Sequence, residues 1–237
     1  MQMFLVFFLW SSVFSDPSRE LFGYNREKIL TYVFGILVIR AIVLSARAVD
    51  VAGEISRGDI TNYLLKPINY FRYWFTRDIS SKALNLSFAA LEAVILFFLL
   101  KPTIFIQTNG AILALFFLSL VIAVLTFFCL LFLVNIVAFW MPENGWAAQF
   151  LFIVIIAEFL SGGVFPLDIL PIEMQKVLNL LPFPYLLFFP LQVYLGKLTI
   201  AAILKGILTG IFWVVALAFG LRQVWNRGIK HYEAIGR

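Results

Sequence analysis

The sequence predicts an all-α integral membrane protein with six transmembrane helices, a cytoplasmic helical element between the second and third, and short external helices between the fifth and sixth. Three observations predict it. Of its residues 62% are hydrophobic and 13% charged, with a mean hydropathy of +0.97, whereas soluble domains carry about 45–50% apolar and about 25% charged residues. Apolar runs recur at lengths suited to a hydrocarbon core of ~30 Å. Between them lie two segments, residues 45–82 and 165–197, that read neither as spans nor as simple loops.

The elements follow in order. Residues 1–15 are apolar but reach only about 22 Å as a helix, too short to cross unaided. They lack the basic start and small-residue cleavage site of a signal peptide, so the expectation is a first span that the given sequence enters part-way. Residues 29–44 form the second span. The third runs from about Leu84 to Leu100 and stops at Lys101 and Pro102. Residues 111–138 suit a tilted fourth span, closed by Trp140, Met141 and Pro142. The fifth begins near Ala147 and reaches Gly162 and Gly163. The sixth covers about residues 201–221 and precedes a basic tail. All belong to one transmembrane domain over residues 1–237.

The net charge of +5 could suggest nucleic acid, but the basic residues are scattered between apolar runs and form no stripe. They act as topology signals. With residues 45–82 and the tail in the cytoplasm, Arg47, Arg57, Lys66, Arg72, Arg77, Lys82, Arg222, Arg227, Lys230 and Arg237 lie inside. Arg19, Arg26, Lys28, Lys101, Lys176, Lys197 and Lys205 lie outside, and both termini are cytoplasmic. The 27 Phe and 6 Trp suit lipid-facing surfaces and the interfacial belt. Cys129, the only cysteine, excludes an intrachain disulfide.

In the cytoplasmic segment Arg47, Asp50, Glu54 and Arg57 recur at helical spacing, while Ala48, Val51, Ala52 and Ile55 gather elsewhere, which predicts an amphipathic surface helix. Gly58 ends it, Asp59 is placed to cap a short helix over residues 60–65, and Lys66 with Pro67 stops that one. Tyr70, Phe71, Tyr73, Trp74 and Phe75, with Arg72 and Arg77, read as an interfacial anchor. In the second segment five of the nine prolines, Pro166, Pro171, Pro182, Pro184 and Pro190, fall together. Such backbone is tolerated at membrane depth only when buried in protein or lining a cavity. Pro171 and Pro182 bracket a short helix, and the stretch is expected to dip into the outer leaflet, either closing the external end of a pathway or plugging the bundle.

His231, the only histidine, lies in the tail, which excludes histidine metal sites and Ser-His-Asp triads within the membrane. No phosphate-binding glycine loop with its lysine occurs, so the chain is expected not to hydrolyse ATP. Three ionisable residues fall within spans: Arg40, Glu92 and Glu158. Charges at that depth usually face a bundle interior. Arg40 can also snorkel, and the two glutamates suit either a pathway or an interhelical pair with an arginine or with Asn85 or Asn135.

Three passages resemble the type-2 permeases of ATP-binding cassette (ABC) exporters, in a poorly characterised bacterial branch. They are EISRGDITNYLLKPINY at residues 54–70, LSGGVFPLDILPIEMQKVLNLLPFPYLLFFPLQVYLG at 160–196, and the ending WNRGIKHYEAIGR. The resemblance implies an export permease of the bacterial inner membrane, working as a homodimer or heterodimer with two separate ATPase subunits. Those subunits would bind ATP and Mg, leaving this chain without a cofactor. A cytoplasmic coupling helix would dock on the ATPase through Glu54, Ile55, Gly58, Asp59, Ile60 and Tyr63. An external gate would involve Pro166, Pro171, Pro182 and Pro184, and the substrate would be hydrophobic or amphipathic. Such permeases usually begin with a cytoplasmic helix that these residues do not include. An ion-gradient-driven transporter, which would call for internal repeats, and a non-catalytic scaffold are the alternatives.

Overall fold

The computed structural model describes residues 2–16, 20–45 and 50–232. Arg19, Arg47, Ala48 and Arg237, named above, lie outside the described residues. In chain order the helices are α1 (Gln2–Val13), α2 (Arg26–Val43), α3 (Asp50–Ser56), α4 (Thr61–Leu64), α5 (Tyr70–Leu100), α6 (Gly110–Ile136), α7 (Gly145–Phe150), α8 (Glu158–Leu160), α9 (Ile172–Leu178), α10 (Phe188–Tyr194) and α11 (Ile200–His231). A π-helical segment, Leu151–Ala157, joins α7 to α8.

Among the described residues four helices are long and apolar enough to cross a membrane: Tyr70–Leu100, Gly110–Phe139, Pro142–Leu160 and Ile200–His231. The first two expected spans correspond to α1, with 12 residues, and α2, with 18 residues that include Arg26, Glu27, Lys28 and Arg40. At the helical rise these reach about 18 Å and about 27 Å. They pack on each other, with the rings of Phe7 and Phe34 edge to face at 6.1 Å.

Helix starts are set by local chemistry. Asn25, Asn69, Asn109 and Thr199 accept hydrogen bonds from the backbone N–H groups of Lys28 (2.8 Å), Arg72 (3.0 Å), Ala111 (2.9 Å) and Ala202 (3.3 Å), satisfying donors that a helix N-terminus leaves open. At the other end of α5, Lys101 takes a left-handed φ of 43° and Pro102 prevents continuation.

The central post is α6. Of its most apolar window 61% is buried, against 11% for α5 and 17% for α11, so the outer faces of those two helices are left for lipid or another subunit. Gly206 and Gly210 let α11 approach its neighbours: an added Cβ would come within 2.2 Å of the Phe189 ring and 2.7 Å of Ile122. Small residues promote such packing where no water drives helices together.

Two boundaries differ from expectation. The aromatic cluster beginning at Tyr70 is not a separate anchor but the first turns of α5. Tyr70 and Trp74, one helical turn apart, are both buried. Tyr70 stacks on Trp225 with ring centroids 5.0 Å apart. The basic tail likewise continues α11 as far as His231, because Trp225 and Gly228 present a stripe that packs inward.

Candidate functional site

The bent element of α3 and α4 is built around Glu54. Val51, Ala52, Glu54 and Ile55 are all buried, so Glu54 lies on the inner face and not on the open charged face expected of it. The reason is geometric, since Glu54 follows Val51 by three residues and shares its side of the helix. Its carboxylate accepts hydrogen bonds from Tyr63 Oη (3.1 Å), Tyr70 Oη (2.8 Å) and Trp74 Nε1 (3.3 Å). Arg77 stands 3.9 Å away, its guanidinium 4.4 Å from the Trp74 ring centre. Beside the carboxylate, the hydrogen bond to Tyr73, burial and Glu54 itself all push the Tyr63 hydroxyl well above its ordinary pKa.

The turn that follows is made by Gly58 at φ 81°, a conformation in which glycine alone is unstrained. Asp59 does not cap α4 with its side chain. It turns back to Arg57, 2.9 Å away, in an exposed ion pair. Ile60 is fully buried. Thus Glu54, Ile55 and Ile60 hold the element together, while Asp59 and Tyr63 are partly open and Gly58 forms the bend. Beyond them residues 64–69 are exposed, including Leu65 at 82% and Ile68 at 43%. This apolar tip was not singled out from sequence, although the LLKP string is its core.

The element touches three of the long helices. Glu54 ties it to α5. Ser56 Oγ donates to Pro142 O at 2.9 Å, where the Pro142–Leu160 rod starts. Tyr232, just past α11, donates its hydroxyl to Gly58 O at 2.8 Å and accepts from Thr61 Oγ1 at 3.0 Å. The tail residues Trp225, Gly228 and Tyr232 work as a unit. Trp225 packs on Tyr70, a Cβ at Gly228 would lie 2.4 Å from Phe139, and Tyr232 reaches the turn.

Within the bundle Arg40 and Glu158 form an ion pair at 2.9 Å, linking α2 to the start of α8 directly after the π-helical segment. Wide turns of this kind concentrate at functional positions, and pairing is what makes charge tolerable at this depth. The pair borders a cavity of about 580 Å³ that also receives Asn85, Phe88 and Glu92 from α5. The structure therefore gathers Arg40, Glu92 and Glu158 around one cavity. Asn135 instead pairs with Gln149. Nearby, Lys82 donates to Val43 O at 2.9 Å and stands 3.4 Å from Asp78, closing the C-terminus of α2.

At the opposite end of α2 the proline-rich stretch folds into short helices. Pro166, Pro182 and Pro184 are buried, while Pro171 is exposed and immediately precedes α9. Asp168 is the polar centre, a residue that sequence reasoning missed. It accepts from Lys197 Nζ (2.7 Å), Tyr24 Oη (3.1 Å) and Gln192 Nε2 (3.2 Å). Lys197 also donates to Phe22 O at 3.0 Å. Burial lowers the Lys197 pKa against the opposing pull of Asp168. Burial, and then Asp168, raise that of Tyr24. This clasp joins the chain before α2 to the segment after α10. Tyr32 adds a hydrogen bond to Gly162 O at 2.8 Å.

Long apolar helices bordering an open cavity with charges at its wall are the features of a polytopic membrane protein. Over residues 1–236 the sequence matches the family described as ABC-2 family transporter protein, and the chain belongs to that family. It is therefore a permease of an ABC-type transporter, a class that associates with ABC ATPases. No curated protein and no solved structure matches it.

Proposed function

We propose that this chain is the membrane-spanning subunit of an ATP-driven exporter, paired with a second copy or a homologue and with two separate ATPase subunits. It resides in a bacterial inner membrane with six spans and with the α3–α4 element and both ends on the cytoplasmic side. Two shorter helices, α1 and α2, supply the first spans beside the four longer ones. ATP binding draws the ATPase subunits together, and the α3–α4 element receives that movement.

The observation that carries this reading is the way the element is mounted. A loop with no partner needs no rigid seat, yet this one is tied to α5 through Glu54, to the Pro142–Leu160 rod through Ser56 and to the end of α11 through Tyr232. Its apolar tip at Leu65 and Ile68 stays uncovered. Force applied at such a tip moves several spans together, including the rod that carries Glu158 and hence the pair with Arg40. Packed elements pass displacement between discrete arrangements, as alternating access requires. At the far end, the Asp168 clasp and the proline-rich helices close the external side.

The docking surface follows from burial. Leu65, Ile68 and Asp59 face outward, whereas Glu54, Ile55 and Ile60 support them from within. Substrate of hydrophobic or amphipathic character passes along the cavity bordered by Arg40, Glu92 and Glu158. The test is affinity purification of the tagged chain from its native membrane. A P-loop ATPase is expected to co-purify, and its absence from a gently solubilised, folded preparation refutes the reading.

A further inference from the structure

The cavity beside the Arg40–Glu158 pair has a specific electrostatic character, set by Glu92. That residue lies ten positions beyond Lys82 on α5, and Lys82 marks the level at which α2 ends, through its bond to Val43 O. Ten residues of helix climb about 15 Å, half of a hydrocarbon core of ~30 Å. A carboxylate at that height cannot face acyl chains without heavy cost. Among the described residues Glu92 enters no ion pair; its side chain is exposed, and it stands with the exposed Phe88 at the open side of the cavity that both line.

The other charges there compensate each other, because Arg40 is satisfied by Glu158 at 2.9 Å. The uncompensated charge of the cavity is the negative charge of Glu92. One helical turn before it Phe88 lines the same space, and Asn85 lies two turns before it. A carboxylate beside an aromatic ring is the combination that recognises an organic cation, the ring supplying a negative π-face and the carboxylate the counter-charge. Aliphatic side chains of α1 and α2, such as Val6 and Leu37, complete the wall and suit an apolar body. The volume of about 580 Å³ falls within the ~300–1,000 Å³ of small-molecule sites.

We propose that this cavity binds a lipophilic organic cation, with Glu92 as its counter-ion and Phe88 as its aromatic contact. Its use as a transport site rests on the permease reading above, but binding itself needs no ATPase.

The test uses the full chain in lipid nanodiscs and two probes of nearly equal shape and opposite charge, tetraphenylphosphonium and tetraphenylborate, with empty discs as background. The cation is expected to bind saturably, once per chain, in preference to the anion. Glu92→Gln should weaken cation binding by about tenfold or more, the loss of one charge-assisted contact, while Glu92→Asp stays within about threefold of wild type, because the charge remains. Phe88→Leu, which keeps apolar bulk but removes the π-face, should weaken the cation and leave the anion unchanged. Thermal unfolding of each variant checks that the fold persists. Equal binding of both probes, or unchanged cation affinity in Glu92→Gln, overturns the proposal. If Glu92→Gln leaves affinity unchanged and instead alters particle mass by light scattering, the cavity is a seam between copies and the proposal fails. Because no ATPase is present, failure here leaves the ATP-driven reading intact, and failure of ATPase co-purification leaves the cation site intact.

Discussion

Tyr232 donates its hydroxyl to the backbone carbonyl of Gly58 across 2.8 Å, joining the end of the last long helix to the turn between α3 and α4. The same oxygen accepts from Thr61 Oγ1, so one side chain spans the bend that glycine makes possible. Tyr232→Phe keeps the ring near Phe139 and removes both hydrogen bonds. It is expected to reduce local opening energy by about 1–2 kcal/mol. Hydrogen exchange checks this, with faster exchange confined to the α4 amides.

Gly228 makes a contrast with Gly220 on the same helix. A Cβ at Gly228 would fall 2.4 Å from the Phe139 ring, whereas nothing lies within 4 Å of one at Gly220. Gly228→Leu should destabilise by about 1–3 kcal/mol through overpacking. Gly220→Ala should be neutral or stabilise by about 0.5–1 kcal/mol, since alanine favours the helix. Thermal unfolding in detergent separates the two.

Glu54→Ala leaves the Tyr63 and Tyr70 hydroxyls and the Trp74 indole without their shared acceptor. A loss of about 2–4 kcal/mol is expected, and less for Glu54→Gln, which retains one carbonyl oxygen. Charge reversal at Glu54 therefore tests the fold of the element. Reversal at Asp59, which is exposed, tests docking instead.

The clasp at the other end gives stability a dependence on alkaline pH. Burial and Asp168 hold the Tyr24 hydroxyl above its ordinary value of 10.0, so near that pH the unfolded chain releases a proton that the folded chain retains. The stabilisation present below about pH 10 is lost as pH rises beyond it. Lys197 has the opposite sign: its lowered pKa makes its contribution rise with pH up to its ordinary value of 10.5. Tyr24→Phe should flatten the alkaline decline in unfolding temperature, and Asp168→Asn should weaken the clasp at neutral pH by about 2–3 kcal/mol. Thermal scans from about pH 7 to about pH 11 measure both.

Features decided by neighbouring residues were legible in the sequence. The stop at Lys101 and Pro102, the bend at Gly58 and the helix after Pro171 depend on local backbone chemistry, and the apolar runs mark most of the long helices. Features decided by distant packing were not. Tyr70 read as part of an interfacial belt because Trp225, on which it stacks, is far along the chain. Glu54 read as a surface charge because three of its partners are aromatic residues that periodicity assigns no polar role. Asp168, Tyr24, Gln192 and Lys197 share no spacing at all, and only the fold brings them together. The one available signal was an acidic residue amid a proline-rich apolar stretch.

The central claim is that the exposed tip of the α3–α4 element meets an ATPase. Cysteine cross-linking tests it most directly, with Leu65→Cys placed in a background where the buried Cys129 is replaced by alanine. In membranes containing the partner ATPase, Leu65→Cys should cross-link to that subunit, with a yield that changes when ATP is bound, while a cysteine at the exposed Leu99, at the other end of α5, should not. If Leu65→Cys forms no such cross-link in a complex that still contains the ATPase, or reacts only with reagents confined to the outer side of the membrane, the account is contradicted.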